Sequence, residues 1–177
     1  AFQLLDGVTL KGGYAGVGAS DPNARDIGLY ETILTGELGT ANGYWPSYSC
    51  NVVVGSHTDN TAGMDGVTIT GGDRIASTVC WSHPGRDSRM FVDAGSPTIR
   101  SCRFTASEST SGAVYLINSS APIFMNCAFS DNDIAMRSES SSPTLVDCLF
   151  TGDQGDGISL SEAGEPSLTR CRFESAM

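Results

Sequence analysis

The apolar and small residues of the chain recur in one short pattern. Its four clearest copies place a large apolar residue three positions before a cysteine and a phenylalanine two positions after it. They run over Pro97–Phe104, Pro122–Phe129, Pro143–Phe150 and Pro166–Phe173. Aligned on the cysteine, the copies are 25, 21 and 23 residues apart. Residues two apart share one face of a β-strand, so a repeat of this length predicts short strands stacked in coils.

The pattern extends toward the N-terminus when another small or branched residue takes the place of the cysteine. Leu5–Leu10, Ile33–Leu38 and Met64–Ile69 fit it, so we expect about seven rungs. The first predicted inward row is Val8, Gly36, Val67, Cys102, Cys127, Cys148 and Cys171. The second is Leu10, Leu38, Ile69, Phe104, Phe129, Phe150 and Phe173.

A second family of apolar segments alternates with these motifs. Its members are Asn51–Val54, Met90–Val92, Ala113–Ile117, Ile134–Met136 and Gly157–Leu160. A proline opens each of the four clearest motifs, where it fits a corner or a first strand residue because it has no N–H for a ladder. Parallel strands joined by short corners can stack only when the chain coils continuously. The sequence therefore predicts an all-β fold, a parallel β-helix.

Several segments resemble known repeat proteins. Gly12–Gly16, Asp21–Asp26, Tyr30–Gly36 and Met64–Gly72 resemble secreted right-handed parallel β-helix repeat proteins of environmental bacteria, of the pectate-lyase-like solenoid type. Phe129-Ser-Asp-Asn132 and Ser111-Gly-Ala-Val114 are similar to elements of polymorphic outer-membrane passenger repeats. The resemblance implies a right-handed, single-stranded solenoid and an extracellular or cell-surface location. It implies no particular activity, because this fold serves lyases, adhesins and passive scaffolds.

The net charge and the chain ends limit the classes of partner that the sequence predicts. A net charge of −10 argues against nucleic acid, whose binding depends on basic side chains. No apolar run is long enough to span a bilayer. The chain starts at Ala1 inside a β segment, so we interpret residues 1–177 as one β-helix domain from a processed or partial chain. Irregular insertions are expected near 15–31, 39–49 and 73–88. The open ends would then pair with further rungs or other protein chains, including copies of this chain.

The six cysteines fall into two groups. Cys102, Cys127, Cys148 and Cys171 share one repeat position and are expected to form an inward row of thiols whose redox state stays open. Cys50 and Cys80 lie outside the motif, and we predict a disulfide between them that joins two loops, in keeping with an extracellular location. No pair of cysteines has the spacing of a metal site, so no metal or other cofactor is predicted.

Catalytic groups are not apparent. The candidate carboxylates do not recur at one repeat position; they are Asp59, Asp65, Asp87, Asp93, Asp131, Asp133, Asp147, Asp153 and Asp156. Asp6 and Asp65 do align, but each begins an Asp-Gly step typical of a turn. His57 and His83 lie in polar loops, and the Gly-His-Gly and Arg-x-Lys elements of pectin-degrading β-helix enzymes do not occur. The chain is therefore predicted not to be an enzyme.

Two features could bind a ligand. Asp153 and Asp156 lie in Gly152–Gly157, which looks like a fragment of a calcium loop, although two carboxylates are few for calcium, and the segment is equally a tight acidic turn. Four aromatic residues of the insertions either form a surface for sugar rings or cover the flank of the coil: Tyr44, Trp45, Tyr48 and Trp81.

Three functions are consistent with these features. We expect a noncatalytic structural or adhesive module outside the cell or on its surface. The first alternative is a domain that binds or degrades polysaccharide. The second is a subunit that stacks on itself to form an extracellular filament.

Overall fold

The computed structural model describes residues 1–41, 45–71, 88–107, 109 and 111–174, and their side chains except those of 40, 41 and 45–48. Three parallel sheets of six strands, named A, B and C here, run along the molecule. Each turn of the chain contributes one strand to A, then one to B, then one to C. The described residues contain no α-helix.

The strands are short and are numbered in chain order. Sheet A contains β1 (Phe2–Gln3), β6 (Val53–Val54), β9 (Met90–Asp93), β12 (Val114–Ile117), β15 (Met136–Glu139) and β18 (Ile158–Ser161). Sheet B contains β2 (Thr9–Lys11), β7 (Gly63–Asp65), β10 (Thr98–Arg100), β13 (Ile123–Met125), β16 (Thr144–Val146) and β19 (Ser167–Thr169). Sheet C contains β3 (Ile33–Thr35), β8 (Thr68–Thr70), β11 (Arg103–Thr105), β14 (Ala128–Ser130), β17 (Leu149–Thr151) and β20 (Arg172–Glu174). An antiparallel hairpin, β4 (Glu37–Ala41) and β5 (Trp45–Tyr48), stands apart from these sheets.

The predicted parallel β-helix is confirmed. The proline-opened motifs supply sheets B and C, and the second family of apolar segments supplies sheet A. Neighbouring coils pair with equivalent residues in register, as Phe104, Phe129 and Phe150 do along sheet C. Alternate residues of each strand therefore face one continuous core.

The number of coils differs from the expected seven. Leu5–Leu10 and Ile33–Leu38 do not form separate coils, because Leu10 pairs with Met64 in sheet B while Leu34 pairs with Ile69 in sheet C. Both segments thus belong to the first coil, and the described residues make six coils. The sequence pattern was misleading here because an insertion of about twenty residues separates two strands of one coil.

Four residues do not take their predicted places in the inward rows: Leu10, which lies in sheet B beside Met64 instead of in the row of Ile69, and three others. The side chain of Val8 is 53% exposed and that of Leu38 is 67% exposed, while Gly36 is buried just beyond β3. In the first coil the position of the cysteines belongs to Thr32, whose carbonyl oxygen accepts a hydrogen bond from the Thr68 N–H (2.9 Å). The equivalent bond in the next coil runs from the Arg103 N–H to Val67.

A stack of phenylalanine rings fills the core behind sheet C. The ring centroids of Phe104, Phe129, Phe150 and Phe173 are 5.1, 4.6 and 4.5 Å apart in turn, with interplanar angles of 9°, 3° and 6°. Phe124 of sheet B meets the rings of Phe104 and Phe129 at steep angles. Offset-stacked and edge-to-face contacts of this kind add to the free energy of apolar burial.

The residue at the corner between sheets B and C has a left-handed backbone conformation. The occupants of this corner in the second to sixth coils are Gly66, Ser101, Asn126, Asp147 and Arg170, with φ of 73°, 49°, 53°, 55° and 51°. The next residue, valine or cysteine, then turns toward the core. This explains why the cysteines lie just before the strands of sheet C rather than within them.

A buried asparagine fixes the corner between sheets C and A. The amide nitrogen of Asn132 donates to the carbonyl oxygen of Phe104 (3.2 Å) and to Asp153 Oδ1 (3.0 Å). Its side-chain oxygen accepts from the backbone N–H of Ser107 (3.1 Å). One side chain therefore joins three successive coils, and its polar groups are satisfied although it is fully buried.

We expect Phe129→Ala to lower the free energy of unfolding by about 3–5 kcal/mol, because it removes a ring stacked on both faces in a closed core. The matched control is Phe173→Ala, whose ring stacks on one face and is 52% exposed, so its loss should cost about 1 kcal/mol. Urea unfolding monitored by circular dichroism measures both. Equal losses for the two variants would contradict a stacked column.

Candidate functional site

The insertion between β2 and β3 folds back over the corner of sheets B and C. Arg25 fastens it there, because its Nε donates to the carbonyl oxygen of Gly12 (2.9 Å) and its guanidinium pairs with Asp65 (3.0 Å). The same guanidinium lies over the ring of Tyr14, 5.8 Å from the centroid. The insertion is thus held by backbone, ionic and aromatic contacts.

The place where the insertion rests is shaped by a glycine. A Cβ on Gly66 would lie 2.5 Å from Cγ2 of Ile27, and the φ of Gly66 is 73°. The contact with Ile27 is what excludes a larger residue there without rearrangement, because side chains occupy the same left-handed corner in later coils. In later coils this corner carries serine, asparagine, aspartate or arginine, so the insertion is accommodated only beside the second coil.

The insertion forms one wall of a groove of about 430 Å³. The floor consists of the corner and the outer face of sheet C over the second to fourth coils. Six of its lining residues have side chains that could contact a ligand: Ile27, Glu31, Thr68, Ser101, Arg103 and Asn126. At ~4.8 Å between strands, three coils give the groove a length of about 10 Å along the axis.

The polar groups of the groove come from different coils. Thr68 Oγ1 donates to Glu31 Oε1 (2.7 Å), which orients the carboxylate. Asn126 Nδ2 donates to Ser101 Oγ (3.3 Å). The exposed guanidinium of Arg103 makes no ion pair or hydrogen bond with the described residues, although its strand pairs on both sides.

Glu31 is the one carboxylate among the described residues that line the groove. Asp65 lies nearby but is paired with Arg25. Glycoside hydrolysis commonly uses two carboxyl groups ~5 to ~9.5 Å apart, one as acid and one as nucleophile or base. The groove lining therefore supplies one carboxylate, one guanidinium and one side-chain amide.

A family model described as a right-handed β-helix region matches residues 40–177. The chain belongs to the right-handed β-helix family. This match also gives the hand of the coil, which the sequence resemblance had implied. No curated protein and no solved structure matches the chain.

Within the described part of this β-helix, no helix is long and apolar enough to span a membrane.

Three of the carboxylates considered as catalytic candidates form ion pairs or hydrogen bonds with neighbouring residues. Asp147 pairs with Arg170 of the next coil (2.6 Å), and this partner holds the pKa of Asp147 below its ordinary value. Asp59 accepts hydrogen bonds from Thr61, which lower the pKa of Asp59. Asp93 accepts from Asn118 Nδ2 (2.8 Å).

The remaining candidates do not converge either. Asp131 and Asp156 are exposed and Asp133 is partly exposed, while Asp87 lies outside the described residues. Across the described ranges, no group of three or more His, Cys, Asp or Glu side chains is placed to hold a metal ion. Calcium binding at Asp153 and Asp156 therefore gains no support from the geometry.

The carboxylate of Asp153 takes part in the contacts that join neighbouring coils. Its Oδ1 accepts from both the backbone N–H (2.9 Å) and the side chain of Asn132, while its buried Oδ2 has no partner among the described residues. Burial raises the pKa of Asp153, and the hydrogen bonds from Asn132 oppose that shift. The carboxylate thus anchors the asparagine that joins the coils.

The four motif cysteines lie one per coil at the corner of sheets B and C. Three of these thiols are buried and Cys171 is partly exposed. Burial raises the pKa of Cys102 to about 11, and the pKa of Cys127 is raised well above its ordinary value by its hydrogen bond with Cys148 and by burial. A buried, protonated thiol is a poor nucleophile, so Cys102 and Cys127 act as core. The hydrogen bond with Cys127 lowers the pKa of Cys148 to about 7, although the Cys148 thiol is buried as well.

Cys50 is disulfide-bonded. Its predicted partner, Cys80, lies outside the described residues, so the pairing stays a prediction.

The side chains of all four aromatic residues proposed as ligand contacts lie outside the described part of the chain. Tyr44 and Trp81 lie outside the described residues, as does His83, and the side chains of Trp45 and Tyr48 in β5 are likewise outside them. His57 is exposed in the turn between β6 and β7.

The sequence reasoning missed a different aromatic pair on the outer face of sheet A. The rings of Phe91 and Tyr115 lie 6.0 Å apart, and Arg137 lies over Tyr115 at 5.7 Å. Burial and the hydrogen bond to Glu139 raise the pKa of Tyr115 to about 12. The alternation of inward and outward residues along β9 and β12 could have indicated this pair.

We expect Asp153→Asn to become more stable relative to the unaltered chain as pH rises from about 4 to 7. The folded-state pKa of Asp153 lies above 3.8, so its favourable contribution exists below that value and is lost as pH rises through the folded pKa. Urea unfolding at several pH values measures it.

The control is Asp147→Asn. Because the pKa of Asp147 is lowered, its contribution disappears only as pH falls below 3.8, so its difference should stay level over the same range. Two parallel curves would contradict the assigned environment of Asp153.

Proposed function

We propose that the chain is a noncatalytic structural and adhesive module of an extracellular or cell-surface protein. The observation that carries this proposal is the use of its carboxylates: Asp147, Asp153 and Asp93 bind groups of other coils instead of converging on a shared site. Such contacts reinforce a rigid rod.

The groove fits an adhesive role. It combines a wall held by Arg25 with a floor built on in-register strands, so its polar groups keep fixed positions. Loops on a rigid scaffold commonly carry binding, and preorganised groups lose little entropy on contact. The groove also favours carbohydrate binding as a second role, since it offers both donors and acceptors of hydrogen bonds.

Two properties support a location outside the cell. Cys50 is disulfide-bonded, and disulfides persist mainly in oxidising compartments. The net charge of −10 favours solubility and discourages contact with nucleic acid.

A filament is a further candidate, for a subunit whose last coil is the one formed by β18, β19 and β20. β18, β19 and β20 each have one described neighbour strand, and Leu160, Leu168 and Phe173 are 52%, 43% and 52% exposed. At the other end, β2 and β3 continue the same two inward rows with Leu10 and Leu34. A second copy stacked head to tail would extend each row, and such contacts generate open filaments.

For the noncatalytic role, we expect no product from cellulose, xylan, starch, polygalacturonate or alginate. The measurement is the release of reducing ends and of unsaturated products during prolonged incubation, beside a protein-free control. Sustained release that Glu31→Gln reduces by about tenfold or more, at unchanged thermal stability, would overturn the proposal.

For the filament, we expect the sedimentation coefficient to rise with protein concentration and fibres to appear by negative-stain microscopy. Leu168→Glu should abolish both, because it places a charge in the stacking face. Leu29→Glu, on the 69% exposed side chain of the insertion, is the control and should leave assembly unchanged. Monodisperse monomers of the unaltered chain would reject self-stacking.

A further inference from the structure

The groove beside the insertion contains three planar polar groups whose capacity for hydrogen bonds is not fully used. Glu31 uses one carboxylate oxygen to accept from Thr68, and its other oxygen has no partner among the described residues. Arg103 offers its guanidinium donors without any described partner. Asn126 uses one amide hydrogen toward Ser101 and keeps its carbonyl oxygen.

These groups suit hydroxyl groups in particular. A carboxylate accepts, a guanidinium donates, and an amide does both, whereas each ligand hydroxyl can donate and accept. A ligand with several hydroxyls on a compact ring therefore satisfies all three side chains together. A ligand that only donates or only accepts leaves at least one of them without a bond.

The charges of the groove argue for an uncharged ligand. Glu31 and Arg103 give its lining a formal charge of zero, and they are not paired with each other. An anionic polymer would meet Glu31 and a chain of net charge −10, while a cation would meet Arg103. A neutral ligand avoids both penalties.

The size and shape of the groove fit a short segment of such a ligand. Its volume of about 430 Å³ lies within the range of small-molecule sites. Ile27 is 42% exposed, and Ala128 on the floor is partly exposed, so each offers apolar surface to the C–H groups of a ring.

We propose that this groove binds a sugar residue of a neutral oligosaccharide, with Glu31, Arg103 and Asn126 as hydrogen-bonding groups. The inference rests on the proposed noncatalytic function, because it has the groove retain the sugar unchanged. It gives the adhesive role a ligand class and a position on the flank of the coil.

The test is calorimetric titration of the whole chain with cellohexaose, maltohexaose and hexagalacturonate. We expect saturable binding of a neutral hexasaccharide that changes little between low and high salt, since no net charge is paired. Glu31→Gln and Arg103→Gln should each weaken it by about tenfold, the loss of one charge-assisted hydrogen bond. The matched control is Arg100→Gln, which should bind normally. Arg100 is also exposed but lies on sheet B, where it contacts Met125 instead of the groove.

Other outcomes separate this inference from the proposed function. Binding of hexagalacturonate alone, lost in Arg103→Gln and in high salt, would overturn the neutral class of ligand. Equal binding by all three variants, or no binding at millimolar sugar, would overturn the site. Chromatography of the same mixtures shows whether the sugars are cleaved, and cleavage would overturn the noncatalytic function instead.

Discussion

The register between neighbouring coils is the constraint on which the rest of the structure depends. Every strand of sheets B and C is only three residues long, so each has one inward side chain and little stability of its own. Parallel pairing at ~4.8 Å places like residues on like residues, and this turns six separate side chains into one stack. The phenylalanine stack, the row of thiols and the shared corner φ are three consequences of that single register. A shift of one residue in the pairing would turn the inward side chains of a strand toward solvent.

The same constraint explains what the sequence could predict. In the last four coils the cysteine, the phenylalanine and the opening proline mark the corner, the inward residue and the first strand of each coil, so the β-helix and its inward rows follow from spacing alone. The first coil breaks the rule, because the insertion separates β2 from β3. Leu5–Leu10 imitates a complete motif, and only the pairing of Leu10 with Met64 reveals that it is half of one.

The groove could not be predicted from the repeat for a related reason. Glu31 reaches it through the insertion, whereas Arg103 and Asn126 occupy outward positions that the core does not constrain. Their meeting depends on how the insertion is seated, which is settled by the contacts of Arg25 with Asp65 and of Ile27 with Gly66. These contacts join residues about forty apart in the chain, and no local pattern of the sequence records them. The sequence shows that the aspartates do not recur at one repeat position, whereas their contacts between coils became apparent only in the structure.

Separation of core and surface also indicates why binding is expected on the flank. A side chain at the inward position contacts its equivalents above and below, so changing it disturbs three coils. An outward side chain such as Arg103 lies between Thr68 and Ala128 of the neighbouring strands and makes no side-chain hydrogen bond or ion pair with the described residues, so the core does not fix its identity. The short corner between sheets B and C would normally leave that surface flat. By adding a wall beside the second coil, where Gly66 makes room, the insertion turns outward positions of sheet C into the lining of a groove without altering the register that holds the column together.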